Sequence, residues 1–442
     1  MPGLQARRTA AAILRKIVDG RVPFDALVDE ANGHREFRNL DGRDRALVRT
    51  IVDTALRHRG EIQSALEARL DKPLDAETGG AIAAILHVGA AQVLYMDVPD
   101  HAAVNLAVSA TESDRRIRNA RGLVNSLMRR IARERSEILA RPDAVRLNAP
   151  DWLFARWTAF YGEETAGLIA DAHQHRPALD LTAKSDPAAL AEATGGTLLP
   201  SGTVRLQDAG RVSELPGYRE GTWWVQDAAA ALPARLIDNG PGRTVADLCA
   251  APGGKSAQLA AGGAQVTAVD LSANRLKRLA GNFARLMLTI GIVRADILDW
   301  QPEEPFDAVL LDAPCSATGT IRRHPDIACL KSEADIATLA ALQARMLART
   351  ADWVKPGGQL VYCTCSLEPA EGEYQAAAFL AARSDYRIEP VRADEIGGLE
   401  VAINPDGYLR TLPHMVFGGA TSEAGLHAGM DGFFAARFRR AG

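Results

Sequence analysis

The chain has 442 residues, 47% hydrophobic and 24% charged, an ordinary globular composition with length for two to three domains. Its formal net charge of −4 gives by itself no support to a nucleic-acid partner, which must be met by local basic clusters. Its five cysteines are odd in number and lack the spacing of a secreted disulfide framework, which points to a reducing, cytoplasmic setting.

In chain order, the first residues do not read as a signal peptide, because Arg15 and Lys16 interrupt the apolar run. Residues 1–140 read as all-helical, with apolar residues at helical spacing in Ala10–Val18 and Ala46–Leu56. The membrane-like stretch from Gly79 to Met96 contains His87 and Gln92 and is rich in Ala and Gly, which predicts a buried helix. Asp100 caps a helix over 101–111. A further helix, Arg121–Arg135, sets Leu123, Val124, Leu127, Met128 and Ile131 on one face. Between Arg115 and Arg135 lie eight arginines against one acid, Glu134. Arg129, Arg130 and Arg133 of this cluster are candidate contacts to the phosphates of a nucleic acid, a solvated helix face being the plain alternative.

Residues 141–235 read as a small α+β connector. A helix over 151–171 carries Trp152, Phe154, Trp157 and Phe160 and stops before Pro177. Short segments follow, broken at Gly195-Gly196, Pro200-Ser201-Gly202 and Pro216-Gly217, and then a strand from Trp223 to Asp227 enters a helix. From 236 to 442, strands over 244–249, 265–269, 292–296, 308–311 and 359–363 alternate with helices after Gly254 and over 272–286, 336–354 and 370–382. This predicts a Rossmann-like α/β domain, a mostly parallel sheet covered on both faces, with ligands at the carboxyl ends of its strands. Gly432–Phe438 reads as an added antiparallel edge strand.

The first of these strands runs into Cys249-Ala250-Ala251-Pro252-Gly253-Gly254-Lys255. Small residues let a ligand approach the backbone, yet the Gly-x-Gly-x-x-Gly spacing of a pyrophosphate site is missing. Asp270 ends the next strand, placed to accept from both hydroxyls of a ribose. Asp296 follows the third strand, placed to meet an adenine edge, and Asp312 ends the fourth. Any one of these acids could be a helix cap. Together they make an acidic lining that suits S-adenosylmethionine, cationic at sulfur, better than NAD or ATP.

Two thiols stand at strand ends, in Asp312-Ala313-Pro314-Cys315-Ser316-Ala317-Thr318-Gly319 and in Cys363-Thr364-Cys365-Ser366. Methylating carbon 5 of cytosine requires a thiolate at carbon 6 to make carbon 5 nucleophilic, and then a second group to help release the adduct. A pair of cysteines beside a cofactor pocket meets both needs, and spacing leaves open which of them attacks. Ser366 and the N–H groups after Cys365 are placed to lower that thiol's pKa. Asp312 is placed to hold the Watson–Crick edge of the ring. A redox disulfide is the competing reading of the pair. Cys329 and Cys363 read as simply buried. No His/Cys set completes a zinc site, so no metal is expected.

At these residues the chain closely resembles the RsmB (Sun/Fmu)-type 16S rRNA (cytosine-C5) methyltransferases of the wider NOL1/NOP2/Sun family. The motifs are Asp247–Lys255, Asp312–Gly319 with Ile321-Arg322-Arg323-His324-Pro325-Asp326-Ile327, and Thr364-Cys365-Ser366. Residues 1–140 resemble a NusB-type RNA-binding domain, with Val98-Pro99-Asp100 and Leu123-Val124-Asn125-Ser126-Leu127 in order, and Asp431-Gly432-Phe433-Phe434 also matches. The resemblance implies Cys365 as nucleophile, Cys315 as the group assisting release, and S-adenosylmethionine held by Cys249–Lys255, Asp270, Asp296 and Asp312. Arg322 and Arg323 are expected to position the RNA strand. The implied partner is 16S rRNA or an assembly intermediate, met by a monomeric chain without a membrane. The same chemistry on tRNA, a non-catalytic RNA-binding factor and a DNA cytosine-C5 methyltransferase are the rival readings.

Overall fold

The computed structural model describes residues 3–74, 79–207, 209–417 and 429–442; Met1 and Pro2 of the N-terminal reading lie outside them. The chain divides into two compact units, Met1–Gln174 with Arg323–Lys331, and His175–Arg322 with Ser332–Gly442.

The first unit is helical. Its main helices are Leu4–Val18, Gly42–Arg57, Gly79–Tyr95, Asp100–Ser113 and Arg121–Arg133. Gly79–Tyr95 is buried almost all round, as its composition predicts, and among the described residues no helix is long and apolar enough to cross a membrane. Gly89 matters here: a Cβ at this position would lie 2.9 Å from Met128 Sδ, so its absence lets two core helices approach. The helix predicted over 151–171 is broken by Gly162, whose φ of 84° ends Asp151–Tyr161 before Glu163–Gln174 begins. Sequence pattern suggests a boundary near 140, but packing carries the helical unit on to 174. The reason is specific: the buried Arg57 donates to the His173 carbonyl at 2.8 Å, and the Trp157 and His173 rings meet edge to face. Within this unit the segment 323–331 is fastened by the Phe24 N–H, which donates to Asp326 at 2.8 Å.

The second unit holds two sheets. The smaller is antiparallel, with β1 (Leu179–Ala183), β2 (Thr197–Leu198), β3 (Thr203–Leu206) and β4 (Trp223–Val225) in the order β2-β3-β1-β4. The larger has eight strands: β5 (Thr244–Leu248), β6 (Gln265–Asp270), β7 (Gly291–Arg294), β8 (Phe306–Asp312), β9 (Val354–Thr364), β10 (Tyr386–Ile388), β11 (Leu409–Thr411) and β12 (Phe433–Arg440). Their order is β10-β12-β9-β8-β5-β6-β7, with β11 also paired to β12. From β9 through β7 the neighbours run parallel.

The central strands are continuous apolar runs because both faces are covered; Ala308–Leu311 and Leu360–Cys363 are fully buried. Sequence fixes where the covering helices begin. Ser272 caps Ala273–Leu286 through the Arg275 N–H, and Ser332 with Asp335 forms a capping box before Glu333–Thr350. One expectation is corrected. Gly432–Phe438 does supply an antiparallel strand, but β12 lies between β9 and β10 rather than at the edge. Its buried face, Phe433 to Phe438, is too apolar to leave one side in solvent.

Candidate active site

β8 and β9 are parallel neighbours with Asp312 opposite Cys363, so the loops that follow them leave the sheet side by side. The Ala313 N–H donates to the Cys363 carbonyl and the Gly319 N–H to the Cys365 carbonyl, each at 3.0 Å. The loops are thereby laced together, and Cys315 Sγ lies 3.5 Å from Cys365 Sγ. A Cβ on Gly319 would collide with the Gly432 carbonyl, so only glycine permits this lacing. Ala317, in the same loop, holds a φ of 61° that a non-glycine residue rarely adopts.

A cleft of about 600 Å³ opens at the carboxyl ends of β5, β6 and β8. Cys249, Asp270, Asp296, Asp312, Cys315 and Cys365 all line it. Leu298, Leu342 and Met346 add an apolar wall. Asp270 accepts the Ser272 N–H at 2.9 Å and the Ala251 N–H at 3.2 Å, and Arg275 stands 3.4 Å from it. Asp296 is half-buried and accepts the Leu298 N–H at 2.9 Å. Of the predicted loop, Cys249 lines the cleft and Ala250–Lys255 do not. The Ala250 N–H donates to the Val269 carbonyl at 3.1 Å, and Gly253, at φ 104°, turns the chain into the helix Gly254–Ala261. Lys255 points inward, with Nζ 2.8 Å from Asp312 and 4.7 Å from the Phe433 ring centre.

Burial, with the negative charges of Asp312 and Asp270 behind it, pushes the Cys249 thiol up. Burial and Asp312 do the same to Cys363. Cys315 is held far above the ordinary thiol range by its hydrogen bond with Cys365, then by burial, then by the Cys365 and Glu371 charges. Asp247, wholly buried beside Ser256, is pushed up to about 7 by desolvation. The lining thus combines accepting carboxylates, three thiols and one arginine with an apolar wall, which fits a nucleoside carrying a cationic sulfur and opposes an anionic tail.

Two placements differ from expectation, those of Arg322 and Ser366. Arg322 is buried and pairs with Asp227 at 2.6 Å, with Asp431 at 3.6 Å. Two acids draw its guanidinium inward, so it does not reach out to a strand of RNA. Arg323 is exposed. The Ser366 hydroxyl donates to Glu371 at 2.6 Å and is committed there rather than to the thiol beside it. Arg129, Arg130 and Arg133 are exposed on the helix Arg121–Arg133, with Arg130 and Arg133 sharing Glu134.

Sequence reasoning missed Glu371, Gln343 and the pair Arg410–Glu373, which gather around the cysteine loops. Glu371 lies six positions beyond Cys365 and reads in sequence as the solvated start of a helix. Only the pairing of β8 with β9 brings Ser316 to it.

Fold and cleft together define a Rossmann-like methyltransferase domain in a chain that begins with a NusB-like helical domain. The family described as 16S rRNA methyltransferase RsmB/F matches residues 234–439, and the NusB family matches residues 4–133. The ribosomal RNA small subunit methyltransferase B of Serratia proteamaculans is 36% identical over 79% of this chain and 85% of its own length. That of Xanthomonas campestris is 36% identical over 88% of this chain and 91% of its own length. A crystal structure of a methyltransferase homolog from Pyrococcus horikoshii shares the fold, with a TM-score of 0.54 at 24% identity over 67% of this chain and 97% of its own. The chain belongs to the RsmB family of ribosomal RNA small subunit methyltransferases.

Proposed function

We propose that this protein methylates carbon 5 of one cytosine in 16S rRNA from S-adenosylmethionine, through a covalent adduct in which Cys365 is the nucleophile and Cys315 assists release. The observation that carries this reading is the pair of sulfurs 3.5 Å apart on the wall of an acid-lined cleft. A site with one reactive thiol needs no second sulfur at that distance.

Bound S-adenosylmethionine supplies an electrophilic methyl group, its sulfur departing as a neutral thioether. Asp270, Asp296, Asp312 and the backbone of Cys249–Lys255 would hold the donor. The Cys365 thiolate adds to carbon 6, its pair forming the S–C6 bond while the C5=C6 pair shifts toward carbon 4 and nitrogen 3 takes up a proton from solvent. Asp312 accepts the hydrogen bond from that nitrogen. The pair now between carbons 4 and 5 takes the methyl group, forming C5–CH3 as C4=N3 re-forms; water then removes the carbon 5 proton, the freed pair re-forms C5=C6, and the S–C6 pair returns to Cys365. Cys315, kept protonated, assists this last step. Nitrogen 3 then loses its extra proton and the ring is neutral again.

The reacting base must be unpaired or flipped to reach half-buried thiols. Structured rRNA with an accessible loop meets that requirement. Arg129, Arg130, Arg133 and Arg323 supply phosphate contacts in this reading; residues 1–140 act as the RNA-binding head within the helical unit that packs on to 174, the rest of 141–235 as connector and 236–442 as catalytic domain, in the cytoplasm.

The test uses labelled S-adenosylmethionine and rRNA from cells lacking the enzyme. Transfer to 5-methylcytosine vanishes in Cys365→Ala, and Cys315→Ala traps an RNA–protein adduct. Trapping by Cys365→Ala instead would reverse the two roles.

A further inference from the structure

One carboxylate joins both cysteine loops. Glu371 is fully buried, as are Ser316, Ser366 and Gln343 around it. Its oxygens accept the Ser316 N–H at 2.9 and 3.2 Å, the Ser366 hydroxyl at 2.6 Å, the Gln343 amide at 3.1 Å and also the Ser316 hydroxyl. Ser316 and Ser366 are the residues that directly follow Cys315 and Cys365, and their hydroxyl oxygens are 3.1 Å apart. The Glu371 carbonyl accepts the Tyr362 hydroxyl at 2.7 Å, fixing the glutamate to β9.

A buried carboxylate is expensive to desolvate, and among the described residues no cation forms an ion pair with Glu371. The nearby Arg410 is paired with Glu373 at 2.7 Å and donates to the Ser366 carbonyl. Apolar packing would hold two loops at less expense, but it would not hold them at a set distance. Several charge-assisted hydrogen bonds converging on one group do.

We propose that Glu371 is a positioning residue that sets the separation of Cys315 from Cys365, and through it the release of methylated RNA from the covalent adduct. The inference rests on the roles given above to the two thiols. Adduct formation needs the Cys365 sulfur alone; release needs both sulfurs in register. Loosening the clamp therefore slows the second step more than the first. The negative charge of Glu371 also contributes to keeping Cys315 protonated.

The experiment compares wild type, Glu371→Gln and Cys315→Ala for turnover, SDS-resistant RNA adduct, cofactor Kd and thermal melting. Glu371→Gln keeps the shape but meets a ring of donors with an amide. Turnover is expected to fall on the order of 100-fold, as for a misplacement of about 1 Å. Adduct is expected to accumulate toward the level trapped by Cys315→Ala, with cofactor Kd unchanged. A purely structural role would lower turnover and adduct together, in proportion to the folded fraction, and that result overturns the inference. If Glu371→Gln does not fold, the double variant Ser316→Ala, Ser366→Ala removes two donors and leaves the carboxylate; no rise in adduct there also overturns it. Failure of Cys315→Ala to trap adduct would instead bring down the thiol roles themselves.

Discussion

Lys255 Nζ is 2.8 Å from Asp312 Oδ2, which ties the first loop of the large sheet to the end of its β8 strand across the floor of the cleft. Burial works against the ammonium, but the charge of Asp312 outweighs it and holds the Lys255 pKa above its ordinary value. Lys255→Met leaves Asp312, whose side chain is 31% exposed, without its cation but partly solvated. It is expected to destabilise the protein by about 2 kcal/mol in denaturant titration, and replacing Asp312 by Leu in the same chain to recover part of that loss. Equal stability of single variant and wild type would mean that the pair is solvent-compensated.

Asp270 keeps lone pairs toward the cleft after accepting two backbone N–H groups. If these receive a ribose, Asp270→Ala weakens S-adenosylmethionine binding by roughly 10²-fold, the size of one or two hydrogen bonds to a charged acceptor. Isothermal titration calorimetry on the RNA-free protein reads this directly. An unchanged Kd would remove Asp270 from the cofactor site.

Of the exposed arginines of Arg121–Arg133, Arg121 pairs with Glu112 at 3.2 Å, Arg129 donates to Asn125, and Arg130 and Arg133 share Glu134. Glu134 takes Arg69 at 2.7 Å besides Arg130 and Arg133, so one carboxylate serves three guanidiniums. Changing Arg129, Arg130 and Arg133 to Gln should weaken RNA binding and reduce the slope of log Kobs against log salt by about 2, at roughly 0.7 per lost single-strand phosphate contact. Filter binding between low and moderate salt measures both, and an unaltered slope would exclude this face.

His87 gives a pH prediction for the helical unit. Burial pushes its imidazole down to about 4, although its Nδ1 lies 2.8 Å from the Ala83 carbonyl. An unfolded histidine titrates near about 6.5, so between these values the unfolded chain holds more protons. Stability is therefore full above about pH 6.5 and falls as pH drops toward 4, by about 3 kcal/mol over the window. His87→Leu should flatten that fall when urea midpoints at pH 7 and pH 4.5 are compared. Undiminished acid sensitivity would mean that other groups carry it.

Much of this architecture was legible in the residues. Apolar runs such as Ala308–Leu311 mark strands buried on both faces, Ser272 announces a helix, and acids at successive strand ends mark the cleft, whereas the cap at Ser332 is not read from the residues, whose pattern sets that helix over 336–354 instead of Glu333–Thr350. Local pattern does not encode strand order. Nothing in Phe433–Phe438 itself says that it enters between β9 and β10, because an interior antiparallel strand and a covered edge strand share one apolar signature. For the same reason Arg322 looked like a surface arginine: its acids, Asp227 and Asp431, are remote in sequence. Glu371 was hidden too, since its donors come from segments that meet only in the folded sheet.

The position of β12 bears on how the protein is made. It is the last strand among the described residues, yet it zips onto β9, the strand that carries Cys365 at its tip. During synthesis on a ribosome the flank of β9 stays open until β12 emerges, a sticky ribbon exposed for some seconds at translation speeds of about 5–20 residues per second. The catalytic unit is thus completed late, and a nascent chain stalled just short of β12 would be a target for chaperones rather than a half-working enzyme.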